Sequence, residues 1–290
     1  MKKLLITAVL VFAAVNFTSC RAAQKEKPQI YASFFVMYDF ALQIAGANAD
    51  VYCIVPSGAG AHNFEPTPQD MAAVSEADIF FYSDSVMEPW AGNVADAAQN
   101  TPAVSLSEGL YEENADPHVW LNPNYALKMM EVILVKLISA DPDNTDSYIE
   151  NYNIASEKID ALNQSYIDAQ LSGKTILCYH AAYTHLCDEY GMTQKSVEET
   201  GNSAEVSASK IAETIEFINE NEIKYIFAAP YGYAGAVDVI TRETAAKRLE
   251  LNPCEILDEK SRADGADYFS IMYANLENLK TGAQYTASGA

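Results

Sequence analysis

The chain has 290 residues, 49% of them hydrophobic, with 18 Lys and Arg against 40 Asp and Glu for a net charge of −22. That apolar content fills one or two sizeable cores, which argues against a disordered, collagen-like or small disulfide-stapled chain. So acidic a surface repels phosphate backbones and argues against nucleic-acid binding, while it tolerates cations.

The predicted elements begin with a targeting segment. Met1-Lys2-Lys3 is a short basic start, Leu4 to Val15 is apolar, and Asn16-Phe17-Thr18-Ser19-Cys20 follows. A basic start, an apolar stretch of this length and small residues before a cleavage point describe a secretory signal, and the run is too short for a membrane span of roughly 20 residues. Cys20 after Thr18-Ser19 resembles a bacterial lipobox, with Phe17 where Leu is usual. The expectation is a signal peptide over 1–20, a lipid on Cys20, and a polar tether over 21–28. Cys53, Cys178, Cys187 and Cys254 remain. In an oxidising compartment they allow one or two disulfides of unspecified connectivity, and the absence of any C-x-x-C pair argues against a thiolate metal site.

From residue 29 to 140 short apolar runs alternate with helical patterns. Ile30–Val36, Val51–Val55, Ile79–Tyr82 and Ala103–Leu106 read as buried strands, and Tyr38–Ala45, Pro68–Ser75 and Pro89–Ala98 as helices. Thr67 before Pro68 is suited to cap a helix. Over 141–172 the apolar stripe Tyr148, Tyr152, Ala155, Ile159, Leu162, Tyr166 marks one long helix, about 45 Å at 1.5 Å per residue. From 173 to 290 the alternation resumes, with strands at Lys174–Tyr179 and Tyr225–Ala229 and helices at Ala181–Tyr190, Ser207–Asn221, Val237–Leu249 and Tyr268–Leu279. This pattern predicts an α/β fold of two lobes with mostly parallel sheets, joined by one long rigid helix.

Only four histidines occur in the chain. His62 follows the strand Val51–Val55, His118 sits in a loop leading into a helix, and His180 directly follows the strand Lys174–Tyr179. Carboxyl ends of parallel strands are where open α/β sheets bind ligands. Three imidazoles in one crevice suit a transition metal, with one position left for a carboxylate or water. Spacing alone leaves this reading open beside three merely solvated loop histidines.

Val55-Pro56-Ser57-Gly58 with His62-Asn63-Phe64-Glu65-Pro66-Thr67-Pro68 resembles the first metal-ligand motif of the solute-binding lipoproteins of zinc and manganese ABC importers. Asp116-Pro117-His118-Val119-Trp120-Leu121-Asn122-Pro123 is similar to that family's second motif, and Tyr179-His180-Ala181-Ala182-Tyr183 with Tyr190-Gly191 to its third. Ala77 to Tyr82, Glu88-Pro89-Trp90 and Asp267 to Met272 add lesser matches, so the similarity runs from about residue 29 to 280. The resemblance implies two α/β lobes bridged by a long helix, with the metal between them. It implies His62, His118 and His180 as ligands, Asp258 in Ile256-Leu257-Asp258-Glu259 as the fourth, and delivery of the ion to a membrane permease. His at the third position, where many manganese binders carry Glu, favours Zn²⁺ over Mn²⁺, as imidazole donors also do.

The sequence departs from the family in two places. No long His-rich loop precedes the second motif, so no metal-scavenging loop is expected, and Ala229 stands where a Glu commonly precedes Pro230. Among the other polar residues, His185 reads as surface or packing and Glu65 as a carboxylate stabilising the next helix. Glu112, Glu113 and Asp116 read as cation-steering or simply solvated. The expectation is a lipid-anchored, extracytoplasmic, monomeric binding protein with no catalytic role. The alternatives are a zinc hydrolase using three histidines and an activated water, and a surface adhesion lipoprotein with a structural metal. Neither a His-Glu-x-x-His nor a Gly-x-Ser-x-Gly sequence is present for the hydrolase.

Overall fold

The structure is a computed structural model that describes residues 27–112, 115–198, 206–231 and 234–283. The expected signal segment and Cys20 lie outside the described residues. The first half runs β1 (Gln29–Ala32), α1 (Phe35–Ala45), β2 (Asp50–Cys53), α2 (Pro68–Ser75), β3 (Ile79–Tyr82), α3 (Ala91–Ala97) and β4 (Ala103–Ser105). Its strands form one parallel sheet in the order β2-β1-β3-β4.

Two antiparallel helices follow, α4 (Pro123–Ala140) and α5 (Thr145–Asp168), joined by a single 3₁₀ turn at Pro142–Asn144. The second half comprises β5 (Thr175–Cys178), α6 (Thr184–Glu189), β6 (Thr193–Ser196), α7 (Ala208–Glu220), β7 (Tyr225–Ala228), α8 (Ala234–Glu243), β8 (Lys247–Glu250), α9 (Glu259–Ala263) and α10 (Tyr268–Gly282). Its parallel sheet has the order β6-β5-β7-β8, which repeats the first sheet's order.

These are the two α/β lobes that the alternation predicts. The connecting helix, at 24 residues, is about 36 Å long rather than 45 Å, because the chain leaves it at Ala169 and Pro142–Asn144 forms a separate turn. Tyr148, Ala155, Ile159, Leu162 and Tyr166 are its buried stripe, as the spacing requires. One continuous apolar core runs from Ile30 and Phe80 of the first sheet through α1, α4 and α5 to Tyr268, Met272 and Leu279 of α10. A smaller core, around Ile226, Val237 and Ile240, belongs to the second lobe alone.

Several element boundaries differ from the sequence expectation. The strand expected over Ile30–Val36 ends at Ala32, and α1 starts at Phe35; both segments are buried, so hydrophobic pattern alone cannot divide them. The helix expected over Val237–Leu249 stops at Glu243, and Lys247–Glu250 forms the edge strand β8. The strands β6 (Thr-Gln-Lys-Ser) and β8 (Lys-Arg-Leu-Glu) are edge strands with polar faces, which carry no apolar run to reveal them. Cys53, Cys178, Cys187 and Cys254 are all free thiols in this structure, so no disulfide joins them. Thr67 caps α2 as expected, in a capping box with Asp70 that is worth about 1 kcal/mol.

Candidate metal centre

The carboxyl ends of four strands converge between the lobes. The loop after β2 carries His62, the long loop after β4 carries His118, β5 ends two residues before His180, and the loop after β8 carries Glu255. One donor atom from each of these four side chains lies within 4.8 Å of every other. The first three are the expected histidines. The fourth is not Asp258.

Asp258 lies three residues further on, where its carboxylate caps α9 by accepting the backbone N–H of Ser261 at 2.7 Å and the hydroxyl of Tyr231. A short carboxylate just before a helix is worth more as a cap than free, and Asp258 is not among the clustered donors. Glu255 occupies the fourth position. Its signal in the sequence was weak, because β8 itself was unrecognised and the residue therefore did not read as strand-terminal.

The spacings have the dimensions of a metal shell. His118 Nε2 lies 3.1 Å from Glu255 Oε1 and 3.4 Å from His180 Nε2. His180 Nε2 lies 3.5 Å from Glu255 Oε1, and His62 Nε2 lies 3.7 Å from Glu255 Oε2. Four donors at zinc bond lengths of 2.0–2.1 Å sit at the corners of a tetrahedron with edges of about 3.3 Å. His62 Nε2 is buried without a hydrogen-bond partner, a costly condition that an ion at the centre relieves. The nitrogen-rich donor set therefore fits a tetrahedral transition-metal ion.

A second set of carboxylates fixes the rings. His118 Nδ1 donates to Asp116 Oδ1 at 2.6 Å, and His180 Nδ1 donates to Glu198 Oε2 at 2.8 Å. With Nδ1 held by a carboxylate in both, Nε2 faces the centre and presents its lone pair once its own proton has left, which is the tautomer a metal requires. Asp116 is itself held by the backbone N–H groups of His118 (3.0 Å) and Thr184 (3.0 Å). It is buried and structural rather than solvated. The spacing Asp-x-His, in which the carboxylate reaches back two residues, was the available clue to it. Glu198 had no comparable signal, because it stands 18 residues from His180 across the unrecognised strand β6.

Burial alone would depress each imidazole, but the carboxylates outweigh it at two of them. Asp116 and Glu255 hold His118 above its ordinary value, and Glu198 and Glu255 lift His180 to about 10. Burial opposes ionisation of Glu255, yet the two histidines hold it well below the usual carboxylate range. His62 is lowered, by burial first and then by its neighbouring histidines.

The remaining polar candidates have ordinary roles. His185 packs between the rings of Tyr111 and Tyr125 and donates from Nε2 to the Asp116 carbonyl at 2.6 Å, in keeping with a packing residue. Glu65 is exposed, and the cap of α2 is made by Thr67 and Asp70 instead.

The sequence profile described as "ZnuA: Zinc-uptake complex component A periplasmic" matches residues 30–282. The chain belongs to the ZnuA family. A ZnuA-family relative, the zinc-binding lipoprotein AdcA of Streptococcus pneumoniae serotype 4, is 30% identical over 97% of this chain and 61% of its own length. The chain thus spans about three fifths of that relative. The high-affinity zinc uptake system protein ZnuA of Bacillus subtilis is 29% identical over 94% of this chain and 93% of its own length. Among solved structures, the Zn(II)-bound ZnuA-like domain of Streptococcus pneumoniae AdcA superimposes with a TM-score of 0.80 at 30% identity, covering 89% of this chain and 99% of that domain. The ZnuA-family fold is the two-lobed α/β architecture described above.

Proposed function

We propose that this protein captures Zn²⁺ from the extracytoplasmic space at His62, His118, His180 and Glu255 and hands it to the membrane permease of an ABC importer. The observation that carries this reading is the compact cluster of four donors, three of them on buried side chains and the fourth, His62 Nε2, unpartnered. Neutral imidazoles and one carboxylate replace the water shell of the ion, and the negative Glu255 offsets half of its charge. Three nitrogen donors to one carboxylate favour Zn²⁺ over Mn²⁺, which prefers more oxygen. The names of the relatives, zinc-binding lipoprotein and high-affinity zinc uptake protein, support the same cargo and the same role.

The carboxylate in the fourth position also weighs against hydrolysis. A catalytic zinc keeps that position open for water, whereas Glu255 stands in it here. The only candidate base near His62 in the sequence, Glu65, is exposed. In the same reading Cys20 carries the lipid that tethers the protein to the membrane face, and the protein acts as a monomer. Among the described residues no helix is long and apolar enough to cross a membrane.

Calorimetric titration of the metal-stripped chain with Zn²⁺ and then Mn²⁺ tests the proposal. Tight one-to-one zinc binding with much weaker manganese is expected. Equal or tighter manganese would overturn the choice of cargo, and binding of neither would overturn the site.

A further inference from the structure

The loop that presents Glu255 has an unusual backbone, and almost every polar group in it is tied down. Cys254 is buried and adopts φ +59°, in the left-handed region that residues with a Cβ seldom occupy. Its N–H donates to Asn252 Oδ1 at 2.9 Å, closing a turn of the kind Asn side chains make with the backbone two residues on. Asn252 is gripped in turn by Asn275, a buried residue of α10. The Asn252 N–H donates to Asn275 Oδ1 at 2.8 Å, and Asn275 Nδ2 donates to the Asn252 carbonyl at 2.7 Å. Pro253 has no N–H to satisfy, and its carbonyl accepts Trp120 Nε1 at 2.7 Å. Before it, the Leu251 N–H donates to the Ala228 carbonyl at 3.0 Å, and the Leu251 carbonyl accepts the Tyr183 hydroxyl at 2.5 Å.

Trp120 stands two residues after His118, and Tyr183 three after His180. The loop that carries Glu255 is therefore fastened to the same two segments that carry its partner histidines. The left-handed Cys254 immediately precedes Glu255; Asn252 bonds its N–H, and Asn275 holds Asn252.

We infer that Asn252 and Asn275 are positioning residues for the metal site: they lock Cys254 in the left-handed conformation that aims Glu255 at His118 and His180. The inference rests on the reading of Glu255 as a ligand. It predicts that the asparagines set zinc affinity and the geometry of the shell, although neither touches the ion.

The test uses the full, metal-stripped chain with zinc affinity from chelator competition, the visible absorption spectrum of the Co²⁺-loaded form, and the melting temperature of the metal-free form. Asn252→Ala and Asn275→Ala are each expected to weaken zinc binding about tenfold or more, the range seen when outer partners of a ligand are removed, and to shift the Co²⁺ bands. Cys254→Val, which disfavours positive φ, should do the same. Cys254→Gly, which accepts positive φ freely, should bind zinc within a few-fold of the parent chain. Lowered melting with unchanged affinity and an unchanged Co²⁺ spectrum in both asparagine variants would assign them a purely structural role and overturn the inference. The Glu255→Gln variant separates the two readings. If it binds zinc like the parent, Glu255 is not a ligand and the inference falls with that assignment. If it binds poorly while the asparagine variants bind normally, the ligand reading stands and the positioning role alone is lost.

Discussion

The two loops that reach the centre from opposite lobes are built differently. The Glu255 loop is fixed by hydrogen bonds from α10 and from the His118 and His180 segments, and Glu255 itself is buried. The His62 loop is held chiefly by Trp90, whose Nε1 donates to the Ala61 carbonyl at 2.8 Å and whose ring meets Phe64 edge-on. One further bond crosses to the other lobe, from the Gly58 N–H to the Leu257 carbonyl at 3.2 Å. Among the described residues no carboxylate stands behind the His62 ring as Asp116 and Glu198 stand behind the others, and its side chain is 22% exposed. His118, His180 and Glu255 thus form a preset floor, and His62 is the arm that completes it from the solvent side. A carrier has to bind tightly and still let go, and this division places rigidity and exchange in different parts of one shell.

The comparison can be broken most directly at the floor. His118→Ala removes a fully buried imidazole and leaves Asp116 and Glu255 without the ring they hold. Zinc affinity should fall by more than about a hundredfold, beyond the range for outer partners, with the far-ultraviolet dichroism unchanged. His62→Ala should cost less, because the three buried donors remain and water can fill the vacated corner. In stopped-flow chelator competition its loss should fall mainly on the dissociation rate, and an effect as large as that of His118→Ala would refute the division into floor and arm.

Glu198→Ala sharpens the picture on a smaller scale. It frees the His180 ring without removing it, and about a tenfold loss of zinc affinity is expected. The smallest effect per step comes from pH. His180 is raised to about 10, so the metal-free site holds a proton at neutral pH that zinc must expel, and His118 is shifted in the same direction. Affinity should therefore rise with pH until it passes the His180 value near 10, and fall as the solution is acidified. Calorimetry in buffers of different ionisation heat should register protons released on zinc binding; no release would contradict the protonated floor.

The histidines were legible in the sequence through the family motifs around His62, His118 and His180; their places in loops after strands agreed with that reading but did not decide it. The carboxylate was not, and its misplacement follows from one misread element. Lys247–Glu250 has an edge strand's charged surface and no apolar alternation, so the sequence pattern continues the preceding helix over it and hides the strand-end position of Glu255. Asp258 drew the assignment from the family resemblance, which often has an aspartate in this region, whereas here its oxygens cap α9. The α4–α5 pair shows the same limit at larger scale. The buried stripe of α5 announced itself, but α4 is apolar around much of its surface and was not separated from the lobe before it.

Each of the two loops is touched by one of the chain's two tryptophans, Trp90 at Ala61 and Trp120 at Pro253. The Trp120 indole also lies 5.2 Å from the His118 ring. An ion bound at His118 changes the charge beside that indole. The protein thereby carries its own optical gauge. Intrinsic emission should change as the floor fills, while any shift in the colour of Trp90 reports the arm settling, without a label on either.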